Sequence, residues 1–156
     1  MLTPPSQRRL PLTLVLPVSA ALVTVETART ALGIDEDSVV SLVDSGDLSR
    51  AWDISASLFK GPLRIREMRI WARCIAARQA GELQPADDLD SVIDQVLPKL
   101  SRDSLRSDEV RAIFCCGQQT VQRLMERGLV EGHVSGRARW LSRASVVRFL
   151  RERIVQ

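Results

Sequence analysis

The stretch RSDEVRAIFCCGQQTVQRLMERGLV, residues 106–130, decides the fold because an earlier part of the chain repeats its pattern. Residues 24–48 read TVETARTALGIDEDSVVSLVDSGDL and match the later stretch at a displacement of 82. Leu42 then aligns with Leu124, and Gly46 aligns with Gly128. In both stretches the apolar positions lie three and four residues apart, which is typical of helices that bury one face. The chain is therefore expected to contain the same helical unit twice.

Each copy is predicted to hold two short helices joined by a tight turn. The predicted helices are Val25–Leu32 and Glu36–Ser45 in the first copy, and residues 108–114 and 118–127 in the second. Asp108 behind Ser107 favours a helix start there, since acids complement the helix dipole. Gly46 and Gly128 favour helix ends because glycine tolerates the left-handed cap. The pattern predicts a helix-turn-helix in each copy.

A β-hairpin and a further helix are predicted after each helix pair. The predicted strands are residues 52–55 and 63–70, then 133–136 and 137–141, and the predicted helices are residues 72–79 and 143–154. RIWAR at 69–73 aligns with RWLSR at 139–143, a displacement of 70. The first copy is therefore expected to have the longer connection, by 12 residues, the difference between 82 and 70. A short strand is also predicted at residues 12–16, and Trp52, Trp71 and Trp140 are predicted to pack in the core.

These residues resemble the excisionase and MerR-like winged helix-turn-helix family. The resemblance is carried by TVETARTALGIDEDSVVSLVDSGDL and RIWARCIAA in the first copy, and by SDEVRAIFCCGQQTVQRLMERGLV and RARWLSRASVVRFL in the second. It implies a mainly helical α+β fold with small hairpin wings, built as tandem winged helix-turn-helix domains. The expected division is residues 1–80 for an N-terminal strand and the first copy, 81–104 for a linker, and 105–156 for the second copy.

The resemblance also implies that double-stranded DNA is the partner, with the second helix of the pair in the major groove. Glutamine can pair with adenine, and arginine can bind guanine or a phosphate. The residues expected to contact DNA lie on the second copy's helix, wing and last helix: Gln118, Gln119, Thr120, Gln122, Arg123, Arg137, Arg139 and Arg143. The competing interpretation is that these side chains simply form a solvated surface.

The two copies differ in charge. Residues 1–99 carry 11 basic and 13 acidic side chains, whereas residues 100–156 carry 11 arginines and 6 acids, which together give a net charge of +3. Asp35, Glu36 and Asp37 open the first copy's second helix, where phosphates would repel them. The first copy is therefore expected to be a scaffold or a protein-contact unit. Its wing is nevertheless basic, which leaves it able to contact a DNA backbone: Lys60, Arg64, Arg66 and Arg69.

The linker is predicted to contain an amphipathic helix. Its apolar positions follow helical spacing: Leu89, Val92, Ile93, Val96, Leu97 and Leu100. The favoured expectation is that this stripe docks between the two copies. The alternative is that it pairs with a second chain to form a dimer.

Composition narrows the function classes. The single histidine argues against a two-histidine zinc site, and the three cysteines do not form a disulfide framework and are interpreted as small buried residues of a cytoplasmic protein. Pro11 and Pro17 interrupt the N-terminal apolar stretch, so neither a signal peptide nor a membrane span is predicted. No catalytic motif, metal, cofactor or small-molecule ligand is expected.

The leading hypothesis is a transcriptional regulator or excisionase-type factor, and the alternative is an adaptor or assembly protein such as a small terminase-like DNA-packaging subunit.

Overall fold

The computed structural model describes residues 21–57, 65–98 and 102–155 and has an α+β fold. These residues form seven α-helices and seven short strands, and the strands make two antiparallel sheets. The strand predicted at residues 12–16, the wing residues Lys60 and Arg64, and Leu100 of the linker stripe lie outside the described residues.

The same order of elements occurs in both halves of the chain. The first half contains β1 (Leu22–Thr24), α1 (Val25–Leu32), α2 (Glu36–Ser45), β2 (Ala51–Asp53), a 3-10 turn (Ile65–Glu67), β3 (Met68–Trp71) and α3 (Ala72–Gln79). The second half contains β4 (Ser104–Arg106), α5 (Ser107–Phe114), α6 (Gln118–Glu126), β5 (Gly132–Ser135), β6 (Ala138–Ser142) and α7 (Arg143–Glu152). The helix α4 (Leu89–Val96) connects the halves, and β7 (Ile154–Val155) follows α7.

Strand pairing repeats as well. One sheet has the order β1-β3-β2-β7 and the other has the order β4-β6-β5. In each half the strand before the helix pair therefore pairs with the last strand of the hairpin. The short β7 extends the first sheet by pairing with β2, so the end of the chain returns to the first half.

Strand register corrects the predicted alignment of the hairpins. Thr24 pairs with Arg69, and Arg106, which is 82 residues after Thr24, pairs with Trp140. Arg69 therefore corresponds to Trp140, a displacement of 71, and the displacement of 70 is wrong. The first connection is longer by 11 residues, not 12. Matching arginine to arginine misled the alignment, because burial and pairing, rather than residue type, determine where a strand lies in a sheet.

Several element bounds also differ from those predicted. Neither β1 nor β4 was predicted, because a three-residue strand carries too short a pattern to be detected. The strand predicted at residues 63–70 begins only at Met68, after the 3-10 turn. Ile154 was predicted to end the last helix but lies in β7, where it pairs with Trp52. The remaining helices begin and end within a few residues of their predicted positions.

Local capping explains where the first helices begin and end. The Thr24 hydroxyl accepts a hydrogen bond from the Thr27 amide at 3.1 Å, and the Asp35 carboxylate accepts one from the Ser38 amide at 2.8 Å. Gly33 ends α1 in the left-handed conformation, with φ of 68°. At the corresponding position after α5 the left-handed residue is Cys115, with φ of 49°.

The linker helix α4 docks between the two halves, as predicted. Its apolar face belongs to the same buried cluster as side chains of both halves. Its polar face is tied to both: Asp90 accepts a 2.9 Å hydrogen bond from Arg151 of α7, and Gln95 accepts a 2.7 Å bond from Arg73 of α3. The two repeats and the linker therefore share one hydrophobic core.

The tryptophans contribute unequally to this core. Trp52 and Trp71 are buried, as predicted, and the Trp52 indole donates a 2.9 Å hydrogen bond to the Leu150 carbonyl of the second half. Trp140 is only half-buried and packs under the Arg102 guanidinium. No helix in the described part of the chain has the length and apolarity needed to cross a membrane.

Candidate functional site

A polar groove of about 270 Å³ lies in the second half, between the wing and the start of the helix pair. Its lining comes from the end of β4, the first turns of α5 and α6, and the wing: Arg106, Ser107, Asp108, Gln118, Arg137, Ala138 and Arg139. Three of the residues predicted to contact DNA, Gln118, Arg137 and Arg139, therefore meet in one concave surface. These three are separated by up to 21 residues in sequence and come together through the pairing of β4 with β6.

The wing owes its shape to a two-residue turn between β5 and β6. Gly136 occupies the left-handed region with φ of 63°, which glycine adopts without a steric penalty. Arg137 completes the turn, and Arg139 pairs with Val134 across the hairpin. All four residues of β5 are exposed, including Val134 at 64%. The hairpin therefore projects from the body and carries two arginines beside the groove.

Two of the four charged side chains that line the groove have an ion-pair partner, and two have none among the described residues. Arg106 forms ion pairs of 3.7 Å with Asp108 and 3.9 Å with Glu109, and its backbone amide donates to Glu109 at 2.8 Å. Within the described residues, Arg137 and Arg139 form no ion pair. Three arginines face one aspartate in the lining, so the groove is suited to an anion.

The exposed face of α6 continues from this groove. Gln118, Gln119 and Arg123 are exposed, whereas Val121 and Leu124 anchor the opposite face in the core. Gln122 is half-buried, and its side-chain amide donates to the Glu126 carboxylate at 3.0 Å. Gly117 at the N-cap supplies no side-chain hydrogen bond, so the first turn of α6 has no cap from its own side chains. The helix thus presents amide groups at its N-terminal end, and the Arg123 guanidinium and the Glu126 carboxylate in its last turn.

Five of the eight predicted residues do not line the groove: Gln119, Gln122 and Arg123 on α6, and the two described next. Thr120 is half-buried on α6. Arg143, at the start of α7, points toward the linker helix and lies 3.9 Å from Asp94. Arg143 is therefore engaged in holding α4 against α7, and the structure does not bring it together with Arg137 and Arg139.

The start of the second helix differs in charge between the two halves. Asp108 and Gln118 correspond to Glu26 and Glu36 at the displacement of 82. Glu26 is held by Arg29 through two 2.9 Å hydrogen bonds, which lower the pKa of its carboxyl. The N-terminus of α2 thus presents acids where that of α6 presents amides.

Helix capping at α2 adds to this contrast. Hydrogen bonds from the Ser38 side chain and backbone lower the pKa of Asp35, which keeps the cap charged. This carboxylate satisfies the first turn of α2 from within the chain. The corresponding residue before α6 is Gly117, which leaves its amides open to an outside acceptor.

Of the two wing arginines of the first half that the structure describes, one is exposed and one is buried. Arg66 is exposed, but Arg69 is only 6% exposed and is directed into the molecule. The expectation that Arg69 could contact a DNA backbone is therefore wrong. Its position in the central strand β3, rather than in a projecting hairpin, is the reason.

The cysteines lie beside this buried arginine. Burial raises the pKa of the Cys115 thiol and raises that of Cys116 to about 11, while the nearby Arg69 charge partly opposes the shift. Burial also lowers the pKa of Arg69 itself. Both thiols are therefore protonated near neutral pH, where a thiol is a poor nucleophile. Within the described residues, no group of three or more His, Cys, Asp or Glu side chains is arranged to hold a metal ion.

Arg106 is the groove residue that sequence reasoning missed. Ser107 and Asp108 had been recognised only as a helix start, and Arg106 immediately precedes them. Its place in the groove depends on β4, since pairing with Trp140 sets Arg106 beside the wing. The alternation of such a short strand offers no signal that could have revealed it.

Comparison of the chain with protein-family models, with curated proteins and with solved structures finds no match in any of the three.

Proposed function

We propose that the chain is a sequence-specific DNA-binding protein made of two tandem winged helix-turn-helix units, of which the second reads DNA. The observation that carries the proposal is the groove in which Gln118, Arg106, Arg137 and Arg139 meet beside the exposed face of α6. Such a surface combines groups that bind phosphates with groups that hydrogen-bond to base edges. A transcriptional regulator or an excisionase-type factor would use it in this way.

The repeated element order supports this proposal. Helix, tight turn, helix and hairpin follow one another in the second half, with Cys115 in the left-handed conformation at the turn. In a winged helix-turn-helix the second helix enters the major groove while the wing contacts the backbone. Gln119 and Arg123 are four residues apart on the exposed face of α6, so both can face the same groove of the duplex.

The difference in charge between the halves supports the inference that only the second unit binds DNA. DNA affinity depends strongly on neutralising phosphates, so the acids Asp35, Glu36 and Asp37 at the start of α2 are unfavourable for it. The second half offers Arg137 and Arg139, which have no ion-pair partner in the part of the chain that the structure describes. We therefore infer that the first unit contributes structure rather than DNA contact, and that the protein acts in the cytoplasm.

The test begins with selection of bound sequences from a random duplex pool, followed by anisotropy titrations at several salt concentrations. Gln119→Ala and Arg123→Ala should each reduce discrimination of the selected site by about 1–3 kcal/mol, the value of a bidentate base contact. Arg139→Ala should weaken binding to all sequences and lower the salt slope by about 1, because one phosphate contact is lost.

Two matched control variants distinguish the loss of a groove contact from a change in the overall charge of the protein. Arg151→Ala removes the same charge from an exposed arginine that is paired with Asp90 instead of lining the groove. Asp37→Ala alters the position in α2 that corresponds to Gln119. Both should leave specific affinity nearly unchanged. Absence of salt-dependent DNA binding by the intact protein would overturn the proposal, and a DNA-independent assembly seen by light scattering would favour the adaptor or terminase-like alternative.

A further inference from the structure

The turn between α5 and α6 is hydrogen-bonded to the first half of the molecule. The Cys115 thiol donates a 3.0 Å hydrogen bond to the Leu22 carbonyl in β1. Cys115 is also the left-handed residue that ends α5, and its backbone amide and that of Cys116 both bond to the Arg111 carbonyl. The residue that reverses the chain between the two helices therefore lies directly against the first sheet.

Arg69 of β3 makes the stronger attachment. Its Nε donates to the Phe114 carbonyl at 2.7 Å, and its Nη2 donates to the Cys115 carbonyl at 3.1 Å. Its Nη1 donates to the carbonyls of Arg66 and Met68, at 2.6 and 3.0 Å, within its own half. One guanidinium thus bridges backbone carbonyls of both halves.

The Arg69 guanidinium lies at the C-terminal end of α5, where a positive charge is favourable. The last carbonyls of a helix lack partners within the helix and carry the negative end of its dipole, so a buried cation there is stabilised. Arg69 forms no ion pair within the described residues, which leaves its donors to the carbonyls. Because the guanidinium is planar and its donors form a rigid fork, it fixes direction as well as distance.

The contact is not a general feature of the repeated fold. The residue of the second half that corresponds to Arg69 by strand register is Trp140, which packs under Arg102 instead. At the end of α1 the Ala31 carbonyl accepts a 2.9 Å hydrogen bond from Gln79, a side chain of the same half. The first helix pair is thus capped from within, whereas the second is capped by the other half.

We propose that Arg69 is a positioning residue through which the first half sets the orientation of the α5–α6 turn, and thereby of α6. The first half of the molecule then holds α6, the helix proposed to enter the major groove, in a fixed orientation. The consequence for DNA recognition rests on the proposed function, but the mechanical claim concerns the protein alone and can be tested without DNA.

The test compares Arg69→Met with Arg153→Met by amide hydrogen exchange on the full chain. Arg153 is the matched control because it is a half-buried arginine that also joins the halves, through an ion pair with Asp53 at 3.5 Å and hydrogen bonds to the carbonyls of Ser55 and Ser57. In Arg69→Met, the amides of Cys115 and Cys116 should exchange at least about tenfold faster, because charged hydrogen bonds at the turn are lost.

Arg153→Met and Arg69→Lys show whether a change in exchange at the turn is specific to the contacts of Arg69. Arg153→Met should leave the exchange of Cys115 and Cys116 unchanged while speeding exchange in β7. Arg69→Lys keeps the charge but cannot span both carbonyls, so its effect should be intermediate, and it serves as the test if Arg69→Met does not fold. Unchanged exchange at the turn in a folded Arg69 variant, or the same pattern in Arg153→Met, would overturn the proposal.

DNA binding supplies a second readout. With the sequence selected for the wild-type protein, Arg69→Lys should lower the ratio of specific to non-specific affinity by about tenfold while leaving the salt slope unchanged, because base contacts depend on helix orientation and phosphate contacts tolerate small shifts. If the wild-type protein binds no DNA, the proposed function fails, and the exchange measurement still decides whether Arg69 positions the turn.

Discussion

The pKa of the Cys116 thiol depends on how far the residue is buried. Cys116 lies in the α5–α6 turn beside Arg69, and burial raises the pKa of its thiol from an ordinary value of 9.0 to about 11. The protonated thiol therefore behaves as a small group of low polarity. The prediction that the cysteines are buried holds for Cys74 and is wrong for Cys115 and Cys116, which are half-buried because they lie in the turn between two helices. A residue that stays neutral in the folded state but ionises in the unfolded state makes stability depend on pH.

The sign of this dependence gives a prediction. Between pH 9 and about 11 the folded protein keeps the Cys116 proton while the unfolded chain releases it, so the contribution is fully present below pH 9 and is lost through about pH 11. Urea unfolding of the wild type and of Cys116→Ala should show the wild type losing stability relative to the variant over this range. Parallel pH profiles for the two proteins would contradict the burial of the thiol.

At the scale of the element, helices proved far more predictable than strands. Val25–Leu32 and Glu36–Ser45 have the bounds that their caps and apolar spacing predicted, because both signals lie within a few residues of each helix end. The strands β1 and β4 have no comparable local signal, and they become strands only by pairing with β3 and β6. The position of Arg106 in the groove was unpredictable for the same reason.

The cap of α1 can be tested directly. Thr24→Ala removes the hydroxyl that accepts from the Thr27 amide, and should lower the free energy of unfolding by about 1 kcal/mol. Thr30→Ala is the matched control, since its exposed hydroxyl donates to the Glu26 carbonyl within the helix and does not cap the helix start. Equal losses from the two variants in chemical denaturation would show that the cap is not what stabilises the start of α1.

At the scale of the whole molecule, the second half is built onto the first through several separate contacts. The linker helix packs between them, β7 extends the first sheet, and Arg69 and Trp52 each reach backbone carbonyls of the second half. A shared core of this kind favours cooperative unfolding of both repeats together. The repeats are thus two copies in sequence but one unit in packing.

Trp52 provides the test at this scale. Trp52→Phe leaves the Leu150 carbonyl buried without its indole donor and should cost about 1–3 kcal/mol. Far-ultraviolet circular dichroism and tryptophan fluorescence should still follow one coincident transition. Trp140→Phe, which alters a half-buried ring, should cost less. Two separate transitions in the wild-type protein would show that the halves unfold independently and would contradict the shared core.

The sequence by itself determined the repeat, the helices, the docking stripe of α4 and the contrast in charge between the halves. These features depend on periodicity, capping and composition, which are local or additive properties of the chain. Only the tertiary structure decided that Arg106 joins Arg137 and Arg139 in one groove, that Arg143 turns toward α4, and that Arg69 is buried against the α5–α6 turn. Those outcomes depend on strand register and on contacts between distant residues, which no short stretch of sequence specifies.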